Sequence, residues 1–421
     1  MKSYFISFLF IFSIFNISYA DIEPYCNGNL TQNNLKKVDR SEIKKIKIEV
    51  HEYRRWQKNT IRILIGNTRI IPNNLKKSYK ARISVFFNND IGCSFSGKIR
   101  QHGDFKDHVK LKDGHIIQSL DVRLDTGHIN GVTKFKLYVP GTRGNSEDEI
   151  IITELLRELG YLAPRTMYVE TDINEIQSKM IFQEKAVKEM LEYNLRREGP
   201  ILEGDERYMM KLAEKLQSNQ KSNIDIGMLP ELEKGVRAQL ARQSNSNWAI
   251  KSQQHSNISF RSLTYLNRAY LLYLNNFKNE KNNFIYSEYN LDNNLLALGK
   301  REKILELDIY NLIIFATNGW HSMTSHNRKF YWNSFENYFE PIYYDANIRI
   351  DKTTTNFNLP FSYLLEEALV LTKKKLESID IKSFQKKLIS RGLNIKESLL
   401  KDRLEKIIKN IKIIDDLTKN T

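Results

Sequence analysis

The hydrophobic periodicity of this chain changes once, near residue 185, and that change constrains its fold more than any other feature. Before it, segments such as residues 119–125 and 134–139 alternate apolar and polar side chains, which is typical of strands with one buried face. After it, apolar residues recur three and four apart, which is typical of helices with an apolar stripe. The sequence therefore predicts an α+β protein with a β-rich N-terminal lobe and an α-rich C-terminal lobe.

Four further segments of the first lobe favour strands because they are β-branched, aromatic or alternating. They are residues 61–65, 83–87, 166–171 and 178–183. The two alternating segments named above flank a connection rich in Gly and Asn, which predicts a hairpin. A helix is predicted to follow, since Ser146 and Glu149 have the spacing of a capping box and Gly160 suits a C-terminal cap.

The second lobe is predicted to be mainly helical, ending in a Lys-rich helical pair over residues 381–419. Five earlier segments have helical periodicity, namely residues 185–197, 207–218, 229–242, 263–277 and 304–317. The predicted organisation is a leader at 1–20, a charged extension at 21–60, a β-rich lobe at 61–184 and an α-rich lobe at 185–421. A cleft between the lobes is the expected place for a site.

The first twenty residues have the features of a secretory signal peptide. Lys2 precedes an apolar run over residues 4–17, and Ser18-Tyr19-Ala20 is a small-x-small cleavage pattern. The run is shorter than the ~20 residues that a spanning helix needs, and no second charge-free stretch of that length follows. We therefore expect cleavage after Ala20, a periplasmic or secreted location, and a mature chain without a transmembrane segment.

Composition excludes collagen-like, low-complexity and disulfide-dense proteins, since 421 residues include 18 Gly, 8 Pro and 2 Cys. The chain is basic, with 65 Lys and Arg against 50 Asp and Glu, and the surplus is concentrated in residues 35–115. Such a patch favours an acidic partner, such as an anionic glycan, a lipid headgroup or a nucleotide, and export argues against nucleic acid. The alternative is compositional, because A+T-rich coding produces Lys, Asn and Ile together.

Cys26 and Cys93 are the only cysteines of the chain. In an exported protein an even number of cysteines indicates that they form a disulfide, here a single one. The alternative is two buried free thiols, and neither alternative predicts a catalytic cysteine.

Two imidazoles and two carboxylates lie close together in residues 100–108. His102, Asp104 and His108 offer nitrogen and oxygen ligands, and a metal ion bound there would indicate a metal hydrolase. Their spacing is irregular and no cysteine is nearby, so a hydrogen-bonded turn is the alternative.

Two other groups of residues could support chemistry. Glu184 lies where the last predicted strand of the first lobe meets the first predicted helix of the second lobe. The charged residues after it are typical of a solvated helix face. Farther on, a loop offers His321, His326 and Asn327, and the next apolar segment ends at Asp345. Asp and Asn suit Mg²⁺ or Mn²⁺, and this layout is that of phosphoryl-transfer sites, where one loop supplies a base and an amide and the next strand end supplies a metal carboxylate.

In their order, several segments resemble the CotH-type kinases, a family named for a spore-coat protein. The matching segments are residues 100–104, 119–124, 135–139 with 149–160, 180–184, and 318–331 with 342–347. They are similar to the family's Arg-Gly-Asn loop, its Ser-Tyr strand, its next strand and helix, its strand ending in Glu, and its catalytic and metal segments. The specificity of the resemblance lies in this order and not in any single motif.

The resemblance implies a two-lobed, atypical protein-kinase-like fold that uses ATP with Mg²⁺ or Mn²⁺. It implies that Asp345 is the metal-binding carboxylate, that Asn327 is the catalytic-loop amide on the metal, and that Glu184 orders the lysine at the phosphates. At two positions the chain departs from the family, because His321 replaces the catalytic Asp and Ile117-Gln118 replaces the lysine before the Ser-Tyr strand.

These departures change what is expected of the neighbouring residues. His321 can accept a substrate proton, but it brings no negative charge to position the hydroxyl. Lys134 or Lys136, with Arg100 of the preceding loop, is then expected to contact the phosphates.

Besides the metal hydrolase, two functions therefore remain open. The first is an exported phosphotransferase, dependent on ATP and a divalent cation, that acts on an envelope protein or glycan. The alternative is a non-catalytic kinase-like envelope protein that binds an anionic glycan or a protein partner with its basic first lobe.

Overall fold

The computed structural model describes residues 25–26, 42–88, 91–219, 240–279, 291–354 and 362–419. The predicted signal peptide, most of the predicted extension before residue 42 and most of the helix predicted at 229–242 lie outside the described residues. The fold is mixed α+β, with a β-rich N-terminal region and a helical C-terminal region.

Ten strands make up the N-terminal region. They are β1 (Tyr25–Cys26), β2 (Ile43–Val50), β3 (Ser78–Phe87), β4 (Gly92–Gln101), β5 (Val109–Lys112), β6 (His115–Gln118), β7 (Leu120–Leu124), β8 (Lys134–Tyr138), β9 (Thr166–Ile173) and β10 (Ile176–Glu184). The predicted hairpin of β7 and β8 and the predicted pair β9 and β10 are both confirmed.

Seven of these strands close into a barrel in the order β4-β3-β2-β9-β10-β8-β7. Residues 97–101 of β4 pair with β7 and complete the ring, while the first half of β4 pairs with β1. Only the pair of β2 and β9 is parallel. The barrel therefore includes residues 43–50, which the sequence places in the extension, and it differs from a typical kinase N-terminal lobe.

The strand predicted at residues 61–65 is wrong, because these residues end a helix, α1 (Tyr53–Ile65). The buried residues of α1 are Trp56, Asn59, Thr60 and Ile63, which lie on one helical face. The local alternation of isoleucines is misleading, since Ile65 is 73% exposed.

The helix predicted after the hairpin is present, and its N-cap lies one residue before the expected Ser146. It is α2 (Ser146–Glu158), and its N-cap is Asn145, whose side chain accepts from the Glu147 amide. Glu149 is buried and does not close a capping box, because its carboxylate accepts hydrogen bonds from Tyr343 and Gln183. Gly160 has φ +86°, as a C-terminal cap requires.

The C-terminal region combines helices with a four-stranded antiparallel sheet in the order β12-β11-β13-β14. The sheet strands are β11 (Ile201–Gly204), β12 (Ala241–Gln243), β13 (Lys329–Asn333) and β14 (Tyr338–Ile342). The helices are α3 (Lys188–Tyr193), α4 (Arg207–Asn219), α5 (Ser246–Ala249), α6 (Gln253–Asn279), α7 (Asn293–Leu296), α8 (Arg301–Ala316), α9 (Leu365–Glu377), α10 (Ile381–Ser390) and α11 (Glu397–Lys419).

Two large apolar cores hold the two regions. One fills the barrel, with Phe135 and Phe182 stacked at 4.6 Å between ring centroids. The other unites α2 with α8 and the C-terminal helices, through residues such as Leu155, Ile313 and Leu404. Because α2 follows β8 directly in the chain but packs into the helical core, it fixes the barrel against the C-terminal region.

Two further observations concern the helices and the cysteines. Within the described ranges, no helix is long and apolar enough to cross a membrane. Cys93 is disulfide-bonded, and Cys26, the only other cysteine of the chain, is its register partner between β1 and β4.

A row of four cations crosses the outer wall of the barrel, which we call the cation row. Lys80 of β3 lies opposite Lys98 of β4, Lys98 opposite Arg123 of β7, and Arg123 opposite Lys134 of β8. The first three are exposed and Lys134 is half-buried. Like charges placed directly opposite each other destabilise a sheet, so this arrangement costs stability.

Replacing Lys98 with glutamate is expected to raise the free energy of unfolding by about 1 kcal/mol, because two like-charge contacts become opposite-charge ones. Urea denaturation at low ionic strength measures the change. Lys386→Glu alters an exposed lysine on α10 by the same charge and is expected to stay within about 0.5 kcal/mol of the original chain. A gain that survives about 1 M NaCl would contradict an electrostatic origin.

Candidate functional site

A crevice of about 560 Å³ lies between the barrel and the C-terminal sheet. The barrel contributes the outer faces of β4, β7, β8 and β10, and the C-terminal region contributes β11, β12 and the residues around β13 and β14. The crevice is where the sequence predicts a cleft. Its lining is rich in charged side chains of both signs, so the partners of each charge decide what the crevice can bind.

Lys134 and Lys136 project from β8 into this crevice. They lie on the same face of the strand because side chains two apart share a face. Lys136 is buried, and its Nζ lies 3.4 Å from the hydroxyl of Tyr344 and 4.9 Å from the centroid of that ring. Among the described residues, no carboxylate lies within ion-pair distance of either lysine. These two ammonium groups are therefore the ones best placed to receive an anion.

The other cations of the crevice are paired with carboxylates. Asp121 accepts from Lys185 at 3.1 Å and from Arg100 at 3.4 Å. Glu203, which is buried, is ion-paired with both Lys329 and Arg242. Burial would raise the pKa of Glu203, but these two cations outweigh burial and lower it. Across the whole lining, eight Lys and Arg side chains stand against six Asp and Glu, so the lining keeps a positive surplus.

Tyr344 lies among three of the site's cations. The Lys329 ammonium lies 4.1 Å and the Arg143 guanidinium 5.3 Å from its ring centroid, in addition to the contact with Lys136. Burial raises the pKa of Tyr344, but Lys136, Lys329 and Arg143 outweigh it and bring the pKa to about 8. For Lys136, burial lowers the pKa, and the adjacent phenols of Tyr138 and Tyr344 reverse this and raise it. The lysine is therefore charged at neutral pH.

Glu206 and His326 complete the lining on the C-terminal side. Burial, reinforced by Asp104 and Glu203, raises the pKa of Glu206 to about 7. Burial, reinforced by His321, lowers the pKa of His326 to about 4, and its Nδ1 has no hydrogen-bond partner among the described residues. At neutral pH the imidazole of His326 is uncharged and offers this nitrogen.

Glu184 lines the crevice, but its carboxylate is bound to an arginine and not to a lysine. The guanidinium of Arg165 donates to both oxygens, at 2.7 and 2.9 Å, and the Arg165 amide donates at 3.2 Å. The Glu184 side chain is 1% exposed and that of Arg165 5%. Arg165 lies just before β9, and its carbonyl accepts from the Glu184 amide at the end of β10, which brings the two side chains together. The role of Glu184 in ordering a phosphate-contacting lysine stays a prediction.

Asp345 lies just outside the crevice lining, in an ion pair with the buried Arg143. Arg143 also donates to the Tyr138 hydroxyl at 2.7 Å. Asp345 has φ +48°, an uncommon conformation that Asp tolerates better than most residues. The loop carrying Arg143 approaches this segment closely, since a Cβ on Gly144 would lie 2.7 Å from the Asn347 carbonyl carbon.

His321 and Asn327 are brought together as the sequence predicts for one loop. The Asn327 amide nitrogen lies 3.0 Å from Nε2 of His321 and donates to the His321 carbonyl at 3.2 Å. Burial, reinforced by Arg143, lowers the pKa of His321 to about 4. A neutral imidazole can accept a proton, but this nitrogen already faces the Asn327 amide.

The predicted site residues thus fall into two groups. Arg100, Lys134, Lys136 and Glu184 line the crevice together. His321, Asn327 and Asp345 are not part of its lining, and they contact each other or Arg143. The roles that the sequence gives to these residues stay predictions.

The residues fit a divalent cation poorly. The Asp345 carboxylate faces Arg143, and the Asn327 amide faces His321. Across the described ranges, no group of three or more His, Cys, Asp or Glu side chains could hold a metal ion. A cation at Asp345 would first have to displace the buried guanidinium.

The metal site predicted at His102, Asp104 and His108 is not formed, and the alternative of a hydrogen-bonded turn describes this segment. The Asp104 carboxylate is ion-paired with Lys76. The two imidazoles meet edge to face at 5.4 Å between centroids, and Nδ1 of His108 is hydrogen-bonded to the Ser119 hydroxyl at 3.0 Å. The His108 ring occupies the space that a Cβ on Gly103 would need, so packing and not metal ligation fixes these rings.

Three functional residues escape the sequence analysis. Each of them contacts a predicted residue that lies far from it in the chain: Arg143 contacts Asp345, Arg165 contacts Glu184, and Tyr344 contacts Lys136. Arg143 has a detectable signal, because it lies between Gly141 and Gly144, both with positive φ, just before a helix. Nothing local marks Arg165 or Tyr344.

Comparisons with known proteins add little. No family model matches the chain, and no curated protein matches it. Among solved structures it aligns with the Shewanella oneidensis MR-1 toxin–antitoxin complex of HipA, HipB and operator DNA. That alignment covers 88% of this chain and 73% of the other, at 8% identity and a TM-score of 0.29. A TM-score this low supports no argument, and the comparisons give no support to the CotH-type family in particular.

Proposed function

We propose that this chain is an exported, kinase-like binding protein whose crevice takes up the phosphate groups of a nucleotide or of another phosphorylated ligand. The observation that supports this best is Lys136, a buried ammonium whose recorded contacts among the described residues are aromatic. A buried charge is costly unless it is paired, so an anionic ligand would supply the missing partner. Lys134, two residues away, adds a second cation at the mouth.

The geometry favours binding over phosphoryl transfer. Transfer needs a cation held near the reacting phosphate and a base free to take the acceptor's proton. Asp345 is bound to Arg143, and Nε2 of His321 faces Asn327. We therefore place the non-catalytic alternative ahead of the phosphotransferase.

The ATP- and metal-dependent phosphotransferase, acting on an envelope protein or glycan, remains a second candidate. It is favoured by the position of Arg143 between the predicted catalytic residues. Arg143 is ion-paired with Asp345 and adds to burial, the main cause, in lowering the pKa of His321. Export in either case is supported by the predicted leader and by the disulfide of Cys93, because disulfides persist mainly in oxidising compartments.

ATP without added metal is expected to raise the melting temperature of the purified chain by a few degrees, because a ligand at about 100 times its dissociation constant stabilises by about 2.7 kcal/mol. Lys136→Met should weaken ATP binding at least tenfold, while Lys386→Met, far from the crevice, should leave it unchanged. Differential scanning fluorimetry over an ATP titration measures both.

The same titration separates the two candidates. If Mg²⁺ or Mn²⁺ adds a further shift that Asp345→Ala removes, the phosphotransferase becomes the better proposal. If millimolar ATP produces no shift in any condition, nucleotide binding in the crevice is refuted.

A further inference from the structure

We infer that the cation row is a binding site for an acidic polysaccharide, which crosses the barrel wall from Lys80 to Lys134 and reaches the mouth of the crevice. This inference names the partner class for the binding function proposed above. It rests on that function only for the continuation into the crevice, and it can be tested apart from nucleotide binding.

Strand register brings the four cations together. Four strands in succession place a cation at the same level, and Lys80, Lys98 and Arg123 are exposed. Adjacent strands are about 4.8 Å apart, so the row presents roughly one positive charge per 5 Å over about 14 Å. A linear polymer with regularly spaced anionic groups can meet each of these charges in turn.

The requirements of folding do not explain the cation row. Lysines on exposed edge strands protect a sheet against pairing with other chains. Strands β4 and β7 are paired on both sides along this row, so no edge needs protection here. The like-charge contacts oppose stability, and residues that oppose stability are frequently retained for function.

Two carboxylates, Asp121 and Asp125, lie beside the cation row on β7 and just after it. Asp121 lies two residues from Arg123 on the same face, but it is bound by Lys185 and Arg100. Asp125, on the other side of Arg123, is exposed. Four cations therefore stand against one neighbouring carboxylate, Asp125, that is not ion-paired with a cation of the described residues, and the row keeps a net positive charge.

The residue types of the cation row distinguish between classes of anionic partner. Single-stranded nucleic acids bind proteins largely by stacking bases on aromatic side chains, and membrane-surface elements insert apolar side chains. The row contains neither kind of residue, since all four of its members are Lys or Arg. A carbohydrate chain with carboxylate or phosphodiester groups needs only the charges.

Lys134 connects this surface to the crevice. It is the last member of the row and also lines the crevice beside Lys136. A polymer lying along the row would therefore direct one of its anionic groups towards the two lysines that lack a carboxylate partner.

The experiment measures binding of fluorescein-labelled polygalacturonate to the mature chain by fluorescence anisotropy, at low salt and in steps up to about 0.5 M NaCl. We expect binding that weakens steeply with salt, because exposed charges are screened. The double variant Lys98→Glu/Arg123→Glu should bind at least about tenfold more weakly. The control Lys386→Glu/Lys409→Glu changes two exposed lysines of the C-terminal helices by a comparable charge and should change affinity less than about twofold.

Three outcomes would overturn the inference. They are no binding of polygalacturonate by the original chain, an equal loss in both double variants, and tighter binding of an oligo-deoxythymidine or of phosphatidylglycerol vesicles through the same two residues. The row variant should keep its ATP-induced melting shift, because neither Lys98 nor Arg123 lines the crevice. Loss of polysaccharide binding with that shift intact separates this site from the nucleotide proposal.

Discussion

Replacing Glu184 with alanine is expected to lower the free energy of unfolding by about 3–5 kcal/mol, because it leaves a buried arginine charge without its partner. The Arg165 guanidinium gives two hydrogen bonds to this carboxylate and is itself 5% exposed. Its remaining contacts, the Asn130 carbonyl and the ring of Tyr193, cannot neutralise it. Urea denaturation of the single variant measures the loss.

Two further variants interpret that result. Glu184→Leu combined with Arg165→Met removes both charges and should recover most of the lost stability, since apolar replacements of a buried ion pair are frequently neutral. Glu192→Ala removes a half-exposed partner of Lys188 and should cost less than about 1 kcal/mol. If Glu184→Ala is as stable as the original chain and loses only ATP binding, then Glu184 has the ligand-ordering role that the resemblance implies.

Between pH 7 and pH 5, the original chain is expected to lose about 2 kcal/mol more unfolding free energy than the His108→Gln variant. Burial, reinforced by Arg143 and Lys136, lowers the pKa of His108 to about 3, whereas the unfolded chain has a value near 6.5. Below pH 6.5 the unfolded chain therefore binds a proton that the folded chain excludes. Stability from this group falls as the pH decreases from 6.5 towards 3.

The comparison between variants isolates this group from others that titrate in the same range. Raised carboxyl pKa values, such as that of Glu149, for which burial is the main cause, act in the opposite direction. Glutamine keeps a hydrogen-bonding group beside the Ser119 hydroxyl and removes the proton-binding site. His115→Gln alters an exposed histidine and should leave the pH profile of the original chain unchanged. Parallel profiles for His108→Gln and the original chain would show that His108 is protonated equally in both states.

The parts of this fold that the sequence predicts are those that depend on local pattern. Strand β7, strand β8 and their hairpin follow from alternation. Helix α8 is confirmed as a helix, although residues 307–316 are buried on every face and form no single apolar stripe. The strand at residues 61–65 is wrong because three isoleucines alternate over too short a window to separate a strand from the end of a helix. Tertiary packing of Trp56 and Ile63 decides the structure there.

The candidate site shows the same limit. Residue type alone identifies Lys134, Lys136 and Glu184 as candidates, and the crevice does contain them. Their partners depend on contacts between distant segments, such as Arg143 with Asp345 or Lys136 with Tyr344. The cation row is likewise invisible in the sequence, because its four members become neighbours only through strand register.

The closure of the barrel through β4 and β7 has a consequence for recognition. In an open sheet, strands at the two ends of the order can twist relative to each other, whereas here the ring joins them. The backbone positions under Arg100, Arg123 and Lys136 are therefore held as one stiff scaffold, and little main-chain freedom is lost when a ligand arrives. Selectivity should consequently depend on how well the spacing of a ligand's charges matches the fixed spacing of the cations on the barrel, and not on a conformational change of the protein.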